Sequence, residues 1–331
     1  MNRFLLIVSG ATLLLLGARA VAYDTMPALP ARPPIPADNP MTPAKIALGK
    51  KLYFDARLSV TDKVSCNTCH NLKTGGADGV AKSVGALGKA TRRSTPTVLN
   101  AAFQSAQFWD GRAETLEDVV KDHFHDLAVM GMPDESGVTA KINSIPGYAQ
   151  QFDKAFGTKH ALNYDNVAKA LATYVRTLIT PNSPFDRYKK GDKNALSEQA
   201  LRGMRAFQEV GCVACHFGDN FSGPPLPMGE GFYELFPNYL GSVYDEKYQL
   251  VTDDQGRAEV THNPLHKRLF HVPTLRNIAL TAPYFHTGSV PTLEEAVRVM
   301  AKTQLDKDLS DQQTRDISVF LESLSGQLPK P

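Results

Sequence analysis

All four cysteines of the 331-residue chain lie in two copies of one short pattern, which constrains the fold more than any other feature. Each copy has two residues between its cysteines and a histidine directly after the second cysteine. The two copies start 146 residues apart. The residues concerned are Cys66, Cys69 and His70 in the first copy, and Cys212, Cys215 and His216 in the second.

This repeated Cys-x-x-Cys-His pattern indicates covalent attachment of c-type haem. A thioredoxin-type redox pair does not explain a histidine after both pairs, and a zinc site does not need the same pentapeptide twice. Two disulfides, the usual expectation for exported proteins, do not explain the spacing. In haem attachment the cysteines form thioethers with the porphyrin and the adjacent histidine binds the iron. The sequence therefore predicts two covalently bound haem c groups, with His70 and His216 as iron ligands.

The first 22 residues have the pattern of a signal peptide. A short positive segment that contains Arg3 precedes an apolar stretch over residues 4–16, and small residues follow at positions suited to cleavage. An uncleaved membrane anchor is the alternative, but the apolar stretch is short for a membrane span. We therefore expect cleavage near residues 20–22 and a mature protein in the periplasm.

Charge and hydropathy exclude two broad classes of protein. The chain has 36 Lys and Arg against 34 Asp and Glu, and Arg3 and Arg19 of the signal peptide account for the whole excess. A balanced charge excludes a nucleic-acid binder that depends on a strong basic field. The sequence after the signal peptide contains no apolar run of about 18 residues or more, which excludes a polytopic membrane protein.

Helical patterns dominate the remaining sequence, and strand signals are few. Pro and Gly over residues 181–193 predict a linker, and residues 218–264 have a composition that favours loops. We predict a mostly α fold with two c-type-cytochrome-like haem domains, at residues 23–180 and 181–331, and long loops. Six helices are expected to begin at the capping residues Thr42, Thr115, Asp165, Ser197, Thr292 and Ser310.

Three details of these helices are also predicted. A helix and a turn precede each Cys-x-x-Cys-His pattern, and Gly211 ends the second of these helices. Thr292 and Glu295 have the spacing of a capping box. The helix that begins at Asp165 is expected to end at Pro181.

Three further motifs accompany the two cysteine patterns. They are Gln-Phe-Trp-Asp-Gly-Arg at 107–112, Val-Pro-Thr-Leu-Arg-Asn at 272–277 and Ala-Pro-Tyr-Phe-His-Thr-Gly at 282–288. With them the sequence resembles, over residues 40–325, the family of bacterial dihaem cytochrome c peroxidases and MauG. The resemblance implies a periplasmic oxidoreductase that reduces hydrogen peroxide. It places a peroxidatic haem in the first domain and an electron-transfer haem in the second.

The resemblance assigns roles to two residues of types that more often pack in cores. Trp109, the only tryptophan, matches a family residue that lies between the haems and relays electrons. Met300 follows His286 by 14 positions, as does the family methionine that ligates the C-terminal haem iron. A His/Met pair raises the haem potential, which suits an electron-accepting haem. In the MauG relative a tyrosine takes the Met300 position.

At the first haem the sequence departs from the peroxidase pattern. The family has a displaceable histidine ligand where this chain has Ala86, and a glutamine and a glutamate where it has Val119 and Val129. The glutamate is the family's acid-base group, and a valine cannot transfer protons. The resemblance therefore implies an open sixth position on the first iron unless another side chain fills it.

Two histidines near these positions are candidates for the missing group. His123 and His125 lie between the two valines in the sequence. Either one could move the peroxide proton as acid and base, could ligate the iron directly, or could be a surface residue at a helix end. The sequence leaves these alternatives open. Three other histidines are interpreted as surface residues or as partners of haem propionates: His262, His266 and His271.

A calcium ion and the partners are implied by the resemblance alone. The family calcium site uses backbone carbonyls that match Thr281 and Pro283, with an asparagine side chain where this chain has Ser94. The expected partners are hydrogen peroxide and a small periplasmic cytochrome c or cupredoxin as electron donor, and a homodimer remains open. Two alternative functions are a MauG-like enzyme that uses peroxide to oxidise side chains of a partner protein, and a non-enzymatic dihaem electron carrier.

Overall fold

The computed structural model describes residues 26–330, so the predicted signal peptide lies outside the described residues. This part of the chain is mostly helical, as predicted, and it contains no helix long and apolar enough to cross a membrane. The α-helices before residue 180 are α1 (Pro43–Phe54), α2 (Cys66–Cys69), α3 (Leu116–His125), α4 (Glu135–Ser144), α5 (Tyr148–Phe156) and α6 (Tyr164–Val175). The elements after residue 180 are α7 (Pro184–Lys189), α8 (Glu198–Val210), β1 (Tyr233–Leu235), α9 (Val243–Lys247), α10 (Ala258–Thr261), β2 (Leu269–His271), α11 (Leu293–Leu305) and α12 (Asp311–Glu322).

The first half of the chain is built around a crossing of α1 and α6. Gly49 of α1 lies so close to α6 that a Cβ atom at this position would collide with the carbonyl oxygen of Ala170. The close approach fully buries Leu52 and Val167. Helix α3 also packs against α6, and α2 with the first haem motif packs against α1.

The second half repeats this construction with α8 and α12. Gly203 of α8 packs against the backbone of Asp316 in α12, again with no room for a Cβ atom. Phe207 and Phe320 meet beside this crossing with ring centroids 5.3 Å apart, a typical aromatic packing distance. The second haem motif follows α8 directly, as the first follows the turn after α1. The predicted recurrence of a helix before each motif is therefore confirmed.

A third hydrophobic cluster joins the two halves. It gathers buried aromatic side chains around one face of α11, and both Trp109 and Met300 pack against it. Strands β1 and β2 form a two-stranded antiparallel sheet in which Glu234 is opposite Phe270, a member of the cluster. Trp109, from the first half, is therefore part of the packing of the second half.

Most of the predicted helix starts are confirmed, and one is wrong. The side chain of Asn163, and not that of Asp165, caps α6 by accepting a hydrogen bond from the Asn166 N–H at 2.8 Å. This earlier start places Tyr164 in the helix, where it is buried. The helix ends at Val175, well before the predicted stop. The confirmed caps are Thr42, Thr115, Ser197, Thr292 and Ser310.

Only half of the capping box predicted at α11 is formed. Thr292 accepts a hydrogen bond from the N–H of Glu295 at 3.3 Å. The Glu295 carboxylate accepts hydrogen bonds from Tyr248 at 2.6 Å and from Lys247 at 2.8 Å. A charge-assisted bond to an ammonium group is stronger than a bond to a backbone N–H, so the carboxylate turns away from the cap.

Residues 181–193, predicted as a linker, contain helix α7 and a buried ion pair. The side chains of Asp186 and Arg276 are both fully buried, with a nitrogen–oxygen distance of 2.9 Å. The N–H of Leu29 donates a further hydrogen bond to Asp186 at 2.9 Å. The segment is therefore packed into the second half, and its role as the linker between two domains stays a prediction. The domain boundary at residue 180 stays a prediction.

Candidate functional site

The first haem motif lies at the wall of a cavity in the first half. Helix α2 carries both cysteines, and His70 follows at its C-terminal end. Nδ1 of His70 donates a hydrogen bond to the carbonyl oxygen of Pro96 at 3.1 Å. This bond fixes Nδ1 as the protonated nitrogen and leaves the lone pair of Nε2 for a metal. Burial lowers the pKa of His70 to about 4, so the ring is neutral at pH 7.

The cavity has a volume of about 960 Å³, which is at the upper end of the range for cofactor sites. Cys66, Cys69 and His70 all line it. Both cysteines are free thiols, and burial raises the pKa of Cys66 to about 12. A thiol with a raised pKa is a poor redox nucleophile, which opposes a thioredoxin-type role. Two thiols and a neutral imidazole beside one large cavity fit a thioether-bound haem.

Helix α3 brings both candidate histidines to this cavity. The ring centroid of His123 is 5.9 Å from that of His70 and 5.3 Å from that of Phe108. Burial lowers the pKa of His123, and the positive charge of Arg112 adds to this effect. His123 is therefore a neutral imidazole next to the predicted iron ligand.

His125 lines the same cavity but is engaged by a tyrosine. Its Nε2 lies 2.8 Å from the hydroxyl oxygen of Tyr164. The tyrosine donates its single hydroxyl proton to the carbonyl oxygen of Lys121 at 2.8 Å. Nε2 of His125 must therefore be the donor to the tyrosine oxygen. His125 is therefore held at the cavity wall, and its Nε2 is not available to accept a proton.

The positions at which the sequence departs from the peroxidase pattern are also part of this region. Val119 and Val129 both line the cavity, whereas Ala86 lies behind the wall. The N–H of Ala86 donates a hydrogen bond to the carbonyl oxygen of Val129 at 2.8 Å. Gly85 packs so closely on the backbone of Ala128 that a Cβ atom would collide with it. The backbone of the loop around Ala86 is thus packed directly against the backbone of the cavity wall.

Trp109 connects the cavity with the third hydrophobic cluster. Its ring lines the cavity and packs against the third hydrophobic cluster, as Met300 does. Nε1 donates a hydrogen bond to the carbonyl oxygen of Ser94 at 2.8 Å, and the ring centroid is 6.2 Å from that of His286. The indole is therefore held between the two halves.

The second haem motif repeats the geometry of the first. A 3₁₀ turn over Cys212–Ala214 carries it, and Nδ1 of His216 donates a hydrogen bond to the carbonyl oxygen of Phe221 at 3.1 Å. Burial lowers the pKa of His216 to about 4 and raises that of Cys212 to about 12. A second pair of free thiols beside a neutral imidazole fits a second thioether-bound haem.

The sequence analysis missed a buried charge cluster beside Trp109. The guanidinium group of Arg93 forms ion pairs with Asp110 and with Asp254, the latter at 2.6 Å. Although burial favours the neutral acid, hydrogen bonds from Arg93 hold the pKa of Asp254 down to about 2. No motif marks Arg93, because its partners lie 17 and 161 residues away in the sequence.

The interpretation of His271 as a surface residue is wrong. It is 3% exposed, and its N–H donates a hydrogen bond to the carbonyl oxygen of Trp109 at 2.8 Å. Its position at the end of β2 turns the side chain inward. His262 is exposed, and His266 is half-buried with Nδ1 2.9 Å from the hydroxyl oxygen of Thr261.

The segment predicted to bind calcium lies close to Trp109 and His286. Thr281 and Pro283 are half-buried. The N–H of Ser94 donates to the carbonyl oxygen of His286 at 2.8 Å. Residues 26–330 contain no group of three or more His, Cys, Asp or Glu side chains placed to hold a metal ion. A calcium site built from backbone carbonyls stays a prediction.

Comparison with known proteins identifies relatives over almost the whole chain. The model of the di-haem cytochrome c peroxidase family matches residues 43–194, and a RoxA-like, cytochrome c-like model matches residues 270–304. The chain is 43% identical to cytochrome c551 peroxidase of Pseudomonas aeruginosa over 293 residues, which cover 88% of this chain and 82% of the relative. It is 33% identical to the methylamine utilization protein MauG of Methylorubrum extorquens, over 89% of this chain and 82% of the relative. The crystal structure of a MauG-like protein associated with microbial copper homeostasis superposes with a TM-score of 0.79 at 26% identity, over 91% of this chain and 95% of the other.

Proposed function

Because the chain belongs to the family of dihaem cytochrome c peroxidases, we propose that it reduces hydrogen peroxide at a haem held by His70. The electrons enter through a second haem, held by His216. The reaction consumes two electrons and two protons, breaks the O–O bond and releases two water molecules. The observation that carries this proposal is the single cavity at which Cys66, Cys69, His70 and Trp109 meet.

The cavity residues of the chain position the peroxide and its protons, while the bound haem supplies the redox chemistry. Val119 and Val129 contribute apolar side chains to the cavity wall and carry no proton. His123 is neutral and lies next to His70, so its ring nitrogen can accept the first peroxide proton and return it to the departing oxygen. His125 supports the same wall, and because its Nε2 donates to Tyr164, only its Nδ1 makes it the second candidate for this role.

The electron side of the proposal uses Met300 and Trp109. Met300, half-buried on α11, would hold the second haem together with His216, and a His/Met pair would raise the potential of that haem. Trp109 packs against the cluster around Met300 and also lines the peroxide cavity. A polarisable ring in this position shortens the gaps that an electron crosses between the two sites.

The location, the electron donor and the calcium ion complete the proposal. The mature chain works in the periplasm, where c-type haems and small redox proteins occur together. A small cytochrome c or cupredoxin supplies the electrons. Backbone carbonyls near Thr281 and Pro283 hold calcium between the halves, because hard oxygen atoms are the ligands that Ca²⁺ prefers.

One observation favours a second candidate function, a MauG-like oxidation of side chains in a partner protein. Val119 and Val129 stand in the cavity where the peroxidase pattern has polar groups, and the chain is 33% identical to a MauG. In this alternative the two electrons come from side chains of the partner protein. The presence of Met300 argues against this alternative function, because the MauG relative has a tyrosine at this position.

The test compares peroxide consumption with and without a reduced small cytochrome c. The peroxidase proposal predicts that two cytochrome molecules are oxidised per peroxide and that consumption stops without the donor. The matched control is the double variant Cys212→Ser/Cys215→Ser, which loses the entry haem and is expected to lose this turnover. Peroxide consumption that leaves the cytochrome reduced, together with oxidised side chains on a co-purified protein, would establish the second candidate.

A further inference from the structure

The chain repeats itself at a constant interval of 177 residues in the segments that follow the haem motifs. Asn100 and Asn277 both have a left-handed backbone with φ of 61°, and both side chains donate to Oγ1 of Thr180 at 2.8 Å. Phe108 and Phe285 match as well, with φ of 67° and 69°. A left-handed backbone is uncommon for residues with side chains, so its recurrence at one interval establishes the register.

The same register aligns helices α3 and α11. Thr115 caps the first and Thr292 the second. An isolated antiparallel bridge precedes each cap, at 107–113 and at 284–290. Counted from the caps, His123 and Met300 are both the eighth residue. His123 therefore occupies in the first half the position that the proposed iron ligand occupies in the second.

We propose that His123 is the distal axial ligand of the iron held by His70 in the resting protein. This inference rests on the proposed function, because it presupposes a haem at the first motif. With this ligand, the sixth coordination position of the first iron is occupied, whereas Ala86 at the family's ligand position implied that it is open. The ligand comes from α3 and not from the loop around Ala86, whose backbone is bonded to Val129.

The distance between the rings of His70 and His123 distinguishes an iron ligand from a proton-transfer group that is not bound to the iron. A metal–imidazole bond is about 2.0 to 2.1 Å long, and the centre of a five-membered ring with bonds near 1.33 Å lies about 1.1 Å behind its nitrogen. Two imidazoles on opposite sides of one iron therefore have centroids about 6.3 Å apart. A histidine that leaves room for hydrogen-bonded peroxide would require about 8 Å or more. The observed separation of His70 and His123 is 5.9 Å.

The packing of His123 agrees with this assignment. Phe108 packs against His123, and the guanidinium carbon of Arg112 lies 3.5 Å from the centre of the Phe108 ring. These neighbours hold the imidazole toward His70.

The assignment makes His123 a displaceable ligand that blocks the peroxide site while it is bound. Peroxide can reach the iron only when the imidazole leaves it, since both occupy the same coordination position. After leaving, the ring stays on the cavity wall, where it can accept the peroxide proton. The two roles that the sequence left open for His123 thus belong to two states of the protein.

Low-temperature electron paramagnetic resonance of the oxidised, fully loaded protein tests the inference. In the wild type we expect both haems to be low-spin. His123→Ala should convert one haem of the two to high-spin, and added imidazole should restore the low-spin signal. His123→Met should keep that haem low-spin and raise its potential toward that of the Met300 site. His125→Ala is the matched control and should leave the spectrum unchanged.

The outcomes separate this inference from the proposed function. One high-spin haem in the wild type, with two covalent haems per chain, overturns the inference and leaves the peroxidase proposal standing. An unchanged low-spin spectrum in both His123 variants also overturns it. Fewer than two covalent haems in a pyridine haemochrome assay of the wild type overturns the proposed function, and the inference with it.

Discussion

The two halves of the molecule use one scaffold to build two different surroundings for a haem motif. Each half crosses two helices at a glycine, places the motif after the first helix, and then adds a helix with a threonine cap. At the eighth position of that last helix, one half has His123 and the other has Met300. A nitrogen ligand and a sulfur ligand give haems of different potential. If both residues ligate iron as proposed, this one difference would suit one half to peroxide chemistry and the other to electron storage.

A second difference lies in the connection that follows each motif. The stretch from the motif histidine to the next Pro-Thr pair is 31 residues longer in the second half. The additional chain contains β1, α9 and α10 and carries Asp254 and Arg257. Arg257 donates a hydrogen bond to the carbonyl oxygen of Asp110 at 3.0 Å, and Asp254 pairs with Arg93. The insertion therefore attaches the second half to the loop that carries Trp109.

Removing one pair of cysteines has the largest expected effect on this comparison. The double variant Cys66→Ser/Cys69→Ser should lose the first haem and keep the second, and Cys212→Ser/Cys215→Ser should do the reverse. The physical reason is that each thioether pair holds one haem. A pyridine haemochrome assay and the intact mass should report one haem per chain in each variant. Two remaining haems in either variant would contradict the assignment of one motif to each half.

Replacing Met300 tests the proposed role of the second half in electron storage. Met300→Ala should lower the potential of the C-terminal haem by an amount on the order of a hundred millivolts, within the range of about 0.8 V that axial ligands control. The spin state of that haem should change as well, because one ligand is lost. Spectroelectrochemical titration of both haems measures the effect. Unchanged potentials and spectra would make Met300 a packing residue of the third cluster and no more.

Removing Arg93 tests the joint between the halves. Arg93→Ala leaves the buried carboxylate of Asp254 without its ion-pair partner, and it leaves Asp110 with only the longer pair to Arg112 at 3.3 Å. Breaking a buried pair in this way costs about 3 to 5 kcal/mol of unfolding free energy. Arg187→Ala is the matched control, since its pair with Asp192 is exposed and long at 3.9 Å, and it should stay within about 0.5 kcal/mol. Denaturant unfolding of the loaded protein measures both variants. If both lose the same free energy of unfolding, the ion pairs of Arg93 do not stabilise the contact between the halves.

The part of the fold and site that could be predicted from the sequence is the part set by short-range chemistry. Attachment of a porphyrin by two thioethers requires a fixed spacing, so Cys66, Cys69 and His70 are recognisable without a structure. Helix caps are equally local, and Thr115 was therefore predicted. The cap at Asp165 was wrong because two residues with good capping side chains lie close together, and the burial of Tyr164 decides between them.

The rest depends on contacts between segments that are distant in the sequence. Arg93 meets Asp254 across 161 residues, and no local pattern announces that pair. The buried pair of Asp186 with Arg276 likewise converts a segment with the composition of a linker into a packed helix. For His123 the sequence offered three roles, and its ring lies 5.9 Å from that of His70, a contact across 53 residues that no local pattern predicts.

The smallest expected effect concerns the caps of α3 and α11, which differ in one detail. In the first half, Thr115 and Asp118 bond to each other's backbone N–H, and their side chains also meet at 2.6 Å. In the second half, Glu295 turns to Tyr248 and leaves Thr292 as a one-way cap.

Thr115→Ala and Thr292→Ala should therefore each lower the free energy of unfolding by about 1 kcal/mol, the usual contribution of a capping threonine. Double-mutant cycles should distinguish the caps of the two halves. Because their side chains are in contact, Thr115 and Asp118 should show a coupling energy of about 0.5 kcal/mol or more, whereas Thr292 and Glu295 should show a value near zero. Denaturant unfolding of the loaded protein, followed by circular dichroism, measures all six variants. Equal coupling in the two cycles would mean that Glu295 bonds the Thr292 N–H in solution, so that the caps of the two halves are alike.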